Sequence, residues 1–186
     1  KTGDTDILKI EVPYLEMQQL QDHEESIYAI PNVSEERGNV LDHCLRAINR
    51  SLRFGSHGLP LIGSGDWNDG LSSVGDEGKG ESVWLAWFLI SVIENFVKVL
   101  EKTDRRNEVE RLLSTVEHLK KQVNENGWDG EWYKRAFFDD GSPLGTHLNN
   151  ECTIDSISQS WAVISGAASP EKLEKAMLSH EKYLED

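Results

Sequence analysis

Eight consecutive apolar residues, Val83-Trp84-Leu85-Ala86-Trp87-Phe88-Leu89-Ile90, set the tightest limit on what this chain can fold into. Read as the first half of a helix, they leave no polar face. Protein must then enclose that helix on nearly every side. The run is too short for a membrane span, because Ser91 interrupts it and Glu94 follows, whereas a span needs roughly 20 apolar residues. The spacing predicts a helix from about Gly80 to Thr103. The next predicted helix, about Asp104 to Asn126, has the opposite character. Val109, Leu112, Leu113, Val116, Leu119 and Val123 make one stripe, Glu, Lys and Arg fill the rest, and Gly127 stops it.

The same alternation recurs downstream. A helix over about Thr153 to Gly166 is expected to turn Ile154, Ile157, Trp161 and Ile164 inward, with Asn150 and Glu151 available to cap it. A charged, amphipathic helix follows from the N-cap Ser169, with Pro170 at its first position. Between the two helix pairs, Trp128 to Cys152 reads as extended chain with a small hairpin near 130–145. Upstream, Val40, Leu41, Cys44, Leu45, Ile48 and Leu52 predict a helix from about Glu36 to Phe54, capped by Ser34 and stopped by Gly55. Before it come a brief helix near Thr5–Ile10, irregular chain, and a polar loop over 21–36 in which Asp22–Glu25 is solvated. Buried helices paired with surface helices fit part of an α/α toroid or a smaller helical bundle. The fold class is expected to be all-α.

The net charge of −14 argues against nucleic acid and anionic membrane as partners, while a neutral sugar would not be repelled. The two cysteines, Cys44 and Cys152, show no zinc-ligand spacing and read as reduced core thiols, with a disulfide between them as the alternative. No metal site is expected. Eight glycines fall within residues 55–80, a stretch with no helical period, and a loop of that length in a compact domain is usually functional or disordered. It carries Asp66-Trp67-Asn68-Asp69-Gly70. An indole offers a flat face to a sugar ring, and a carboxyl beside it can protonate a glycosidic oxygen if an apolar setting raises its pKa. On composition alone either Asp66 or Asp69 could be that acid. The bland reading is that Asp66, Asn68 and Asp69 form Asx-turns that hold the loop. A calcium loop fails, because Gly65 and Trp67 would stand where oxygen ligands belong.

The run Asp66-Trp67-Asn68-Asp69-Gly70, followed by Gly78-Lys79-Gly80-Glu81-Ser82-Val83-Trp84, resembles glycoside hydrolase family 94. The resemblance extends to Val33-Ser34-Glu35-Glu36, Arg46-Ala47-Ile48, Phe137-Phe138-Asp139-Asp140-Gly141, Pro143-Leu144-Gly145 and Ile157-Ser158-Gln159-Ser160-Trp161-Ala162. Within the family, the β-1,2-oligoglucan phosphorylases and the C-terminal region of cyclic β-1,2-glucan synthases look nearest. The resemblance implies an (α/α)6 barrel in which phosphate attacks the anomeric carbon of a β-glucoside with inversion. It implies Asp69 as general acid and Trp67 in the sugar site, with inorganic phosphate as substrate and no cofactor. Further substrate-binding candidates are Asp66, Asn68, Gln159, Glu81 and Arg135. For several a bland role competes: loop support for Asp66, the helix dipole for Glu81, a salt bridge for Arg135. His57 could face the site, but a lone loop His more often reads as polar surface. The family's phosphate-binding His and Thr/Gly loop lie beyond the matched stretch. Residues 1–186 are therefore expected to form one segment, about half of a barrel, within a larger parent chain. Alone it should bind sugar weakly, not turn over, and be prone to self-association. The expected setting is the bacterial cytoplasm, or a soluble domain of a membrane-anchored parent.

Overall fold

A computed structural model describes residues 3–19 and 26–185. The acidic stretch Asp22–Glu25, read above as a solvated loop, lies outside the described residues. The chain divides into two compact units, the first ending at Leu52 and the second starting at Arg53, where the sequence reading took a single segment.

In the first unit a short 3-10 turn over Asp6–Lys9 leads into strand β1, Glu11–Glu16. β1 pairs antiparallel with β2, Asn32–Asn39, with an irregularity between Pro13 and Leu15. Helix α1, Val40–Ser51, follows directly. The expected helix start at Glu36 with Ser34 as cap is therefore corrected. Asn39 is the N-cap, its side chain accepting the Asp42 N–H at 2.9 Å. Gly38 explains why the helix cannot begin earlier. It lies against the Tyr14 ring across the strand pair, where any Cβ would overlap it, so these residues stay extended. The Tyr14 ring also stacks on His43 of α1 at 4.0 Å, with the Arg46 guanidinium 3.9 Å from its centre. These contacts seat α1 on the strand pair.

The second unit holds helices α2 (Val83–Leu100), α3 (Arg106–Glu125), α4 (Ser156–Ser165) and α5 (Pro170–Leu184). α2 packs against both α3 and α4, and α4 packs against α5, giving the row α3-α2-α4-α5. The two helices flanked on both sides are those with the least polar sequences. α2 buries Val83, Trp84, Ala86, Trp87, Leu89, Ile90, Ile93, Val97 and Leu100, and Trp87 meets Tyr133 edge-on at 5.0 Å. Among the described residues, α2 is the one helix long and apolar enough to cross a membrane, with a mean hydropathy of 1.7. Its neighbours here are α3 and α4, and Glu94 pairs with Lys120 of α3 at 2.9 Å, so it serves as a core helix. α3 buries the predicted stripe at Leu112, Val116, Leu119 and Val123, though Leu113 is exposed.

α4 departs from expectation. Its buried residues are Ser158, Gln159 and Ala162, while Ile164 is exposed. Gln159 turns inward because its amide finds complete partners there. It accepts the Tyr133 N–H at 2.8 Å and donates to the Tyr133 and Asp155 carbonyls at 2.7 and 2.9 Å. Asp155 caps α4, in place of Asn150 or Glu151, and Gly166 ends it at φ 64.

A three-stranded antiparallel sheet of β3 (Glu81–Ser82), β4 (Ala136–Phe137) and β5 (Pro143–Leu144) completes this unit, in the order β3-β4-β5. The all-α expectation is thus corrected: about half of the chain is helical, and the described residues form two small sheets, one of which contains the hairpin predicted near 130–145. Both cysteines are free thiols. Cys152 is exposed at φ 51, which removes it from the core.

Candidate active site

Residues 55–80 are folded back on the sheet, and besides backbone contacts three carboxylates that receive donors hold them. Asp139, at the β4–β5 turn, accepts the backbone N–H groups of Glu77, Lys79 and Gly80 at 2.9, 2.7 and 2.9 Å. Burial alone would raise its pKa, but these three amides, with Lys79 nearby, hold it below the ordinary carboxylate value. Two sequence motifs far apart in the chain, 78–84 and 137–141, meet through this contact.

Glu81 is the second of these carboxylates. Its side chain is 1% exposed and turns back into the loop. It accepts the N–H groups of His57 and Leu59, at 3.1 and 2.9 Å, and pairs with His57 Nδ1 at 2.6 Å. Gly55 gives it room, since a Cβ there would overlap the carboxyl. Glu81 therefore does not serve the α2 dipole. Ser82 is the cap, its Oγ accepting the Leu85 N–H at 3.0 Å. His57, read from sequence as polar surface, is a half-buried ring stacked on Phe137 at 3.8 Å.

Asp66 is the third. Its side chain is 0% exposed, and Arg135 grips both its oxygens at 2.6 and 2.7 Å. Ser82 Oγ donates to it at 2.5 Å and the Asn68 N–H at 3.1 Å. Burial pushes the Asp66 pKa up, yet the Arg135, Ser82 and Asn68 donors outweigh it and leave the group below its ordinary value. Asp66 is thus a held, ionised carboxylate. Arg135 makes the salt bridge that its sequence context allowed, and its Nε lies 3.4 Å from Asp155.

The next residues of the turn project outward. Asp66 and Asn68 do form Asx-turns, on the N–H groups of Asn68 and Gly70. Trp67 is 73% exposed, 6.5 Å from Trp84 at the edge of a cluster that includes Phe88 and Trp161. Asp69 opens a 3-10 turn over Asp69–Val74 and is exposed. Among the described residues its carboxylate has no hydrogen-bonding or ionic partner.

Beside this turn lies an open cleft of about 400 Å³, within the size range of small-molecule sites. Trp67, Asn68 and Arg135 line one side, and Asp155, Ser156, Ile157, Ser160 and Trp161 from the start of α4 line the other. Of the residues singled out from sequence, Trp67, Asn68 and Arg135 meet at this cleft, and Asp69 follows Asn68 directly. Asp66, Glu81 and Gln159 are enclosed, with their polar atoms committed to protein partners. Sequence reasoning missed Asp155 and Ser156. The signal was an Asp directly before an apolar-periodic stretch, an N-cap pattern that also places the carboxylate at the helix mouth. Among the described residues no three His, Cys, Asp or Glu gather as a metal site.

Residues 2–186 match the glycosyl hydrolase 94 superfamily, catalytic domain. Cyclic beta-(1,2)-glucan synthase NdvB of Rhizobium meliloti (strain 1021) is 41% identical over 177 residues, covering 95% of this chain and 6% of that protein. Two proteins of Paenibacillus borealis are also similar. Solabiose phosphorylase is 37% identical over 92% of this chain and 20% of its own length. The 3-O-beta-D-glucopyranosyl-beta-D-glucuronide phosphorylase is 35% identical over 77% of this chain and 19% of its own. The chain thus spans a fifth or less of the length of these relatives.

Proposed function

The chain belongs to the glycosyl hydrolase 94 superfamily, and from that premise we propose that it supplies the acid-bearing part of a β-glucan phosphorylase. Phosphate oxygen attacks the anomeric carbon of a terminal β-glucosyl unit from the face opposite the glycosidic bond. The carbon–oxygen bond to the leaving sugar breaks, and Asp69 gives its proton to that oxygen. The products are α-glucose 1-phosphate and a glucan shorter by one unit. Because phosphate brings its own nucleophilic oxygen, no protein base has to activate water. Trp67 provides the platform for the sugar ring, beside Asp69 in the same turn. Asn68 reaches the same cleft. Glu81 and Gln159 support the walls without touching the sugar.

One observation carries the assignment of the acid. Of the two carboxylates in the turn, Asp66 has both oxygens occupied, while Asp69 is exposed without a partner among the described residues. The likeness to a cyclic β-(1,2)-glucan synthase favours β-1,2 links, and the phosphorylase relatives favour phosphate over water. In this reading the row α3-α2-α4-α5 is two inner–outer helix pairs of an (α/α)6 barrel. The rest of the parent chain closes that barrel and completes the phosphate pocket. A second reading, an inverting hydrolase, draws on Asp155, a further carboxylate at the cleft. Its two oxygens face the Ile157 N–H and Arg135, which leaves it poorly placed to take a proton from water.

The test uses the full-length parent protein, a β-1,2-glucan oligosaccharide and phosphate. Release of α-glucose 1-phosphate, lost by about 100-fold or more in Asp69→Asn, is expected. Free glucose released without phosphate would favour the hydrolase, and sugar binding without any turnover would favour a carbohydrate-binding module.

A further inference from the structure

We infer that Arg135 is a positioning residue for the acid-bearing turn, acting through Asp66 on Trp67 and Asp69. This rests on the reading of Asp69 as general acid. The guanidinium joins three separate pieces of chain. Nη1 and Nη2 donate to the two Asp66 oxygens at 2.7 and 2.6 Å, which fixes the turn. Nη1 also reaches Ser82 Oγ, the N-cap of α2, at 3.4 Å. Nε lies 3.4 Å from Asp155, the N-cap of α4. The starts of both central helices and the turn that lines one side of the cleft therefore meet at one cation. The two parallel Nη donors match the Asp66 carboxylate as a fork, which a lysine ammonium, a point charge, cannot reproduce.

The backbone beneath Arg135 is fixed as well. Its N–H donates to the Leu144 carbonyl at 2.8 Å. Gly145, at φ 80, packs so closely that a Cβ would come within 2.6 Å of the Arg135 nitrogen. With 3% of its side chain exposed, Arg135 borders the cleft but has little surface to offer a hydroxyl. Its charge still matters to the acid. Asp66 stands three residues before Asp69, and Arg135 neutralises it. Removal of Arg135 leaves a bare negative charge in the acid-bearing turn, whereas removal of the Asp66 charge leaves a bare positive one beneath it. The two changes leave opposite charges under the turn.

The test measures kcat and KM against pH for glucan phosphorolysis by the full-length parent, with Arg135→Ala, Arg135→Lys, Asp66→Asn and Asp69→Asn. Thermal melting identifies any variant that fails to fold. All three Arg135 and Asp66 variants should lose kcat by on the order of 10–100-fold, the cost of a misplaced catalytic group, with the glucan KM changed less than about 3-fold. The alkaline limb of the kcat profile should move up in Arg135→Ala and down in Asp66→Asn. It should stay put in Arg135→Lys, which keeps the charge and loses the fork. A raised KM with kcat intact would overturn the inference, because Arg135 would then be a sugar contact. Limbs that move together, or folded variants with normal kcat, would also overturn it while leaving Asp69 as the acid. Full turnover in Asp69→Asn would remove the acid assignment, and the inference with it.

Discussion

Asp66 and Asp69 are three residues apart, share a chemistry and end in opposite circumstances. Composition marked both as candidate acids and the family resemblance pointed to Asp69; what separates their settings is Arg135, which lies 69 positions from Asp66 along the chain. Folding brings the guanidinium onto one carboxylate and leaves the other facing solvent. The depressed pKa of Asp66 has a consequence for stability with a definite sign. A carboxyl whose folded pKa lies below its unfolded one stabilises the fold above the unfolded value. For Asp66 that contribution is complete at neutral pH and fades as pH falls below the ordinary 3.8 and through the depressed value. The expected outcome is that Asp66→Asn is less stable than the wild type above about pH 5, and that the two converge in stronger acid. Urea unfolding followed from pH 7 down to pH 2 would measure this, and a difference that does not narrow in acid would refute it. Gln159 is the instructive miss at this scale. Nothing in the sequence of α4 says that an amide will be fully enclosed, since its partner is the Tyr133 backbone from another segment.

Among the elements, α2, α3 and α5 were legible because each carries its reason locally: an apolar run, a single stripe, and a Ser-Pro start. The β1–β2 pair was not. Asn32–Asn39 lacks a clean alternation of apolar and polar residues, and its extended form is imposed by contacts such as Gly38 on Tyr14. The short sheet of the second unit was only half legible. The hairpin of β4 and β5 announced itself by Asp139-Asp140-Gly141, but β3 joins it from across the chain. Gly145 is where this sheet meets the site. Alanine there would have to hold φ near 80 and press on the Arg135 nitrogen. A left-handed Cβ costs about 1–2 kcal/mol, and forced overpacking about 1–3 kcal/mol. Gly145→Ala is therefore expected to destabilise by about 2–5 kcal/mol, seen as a lower midpoint in chemical denaturation. A change below about 1 kcal/mol would mean that the strand can shift without cost.

For the whole molecule, the chain leaves apolar side chains such as Phe88, Val163 and Ile164 uncovered in the second unit, and Leu15, Tyr28 and Ile30 in the first. Patches of this kind drive association when nothing covers them. The 186-residue chain expressed alone is expected to self-associate in sedimentation experiments as its concentration rises. A single monomeric species over a hundredfold range of concentration would contradict this. The chain also carries a net charge of −14, and that surplus is separate from the groups that shape the cleft. Asp66 and Arg135 pair with 0% and 3% of their side chains exposed. Dissolved salt weakens forces between surface charges and hardly touches such enclosed contacts. Rising ionic strength should therefore ease the repulsion of the acidic surface and leave the cleft in its shape. The contact that holds the turn should thus be the same in dilute and in briny surroundings.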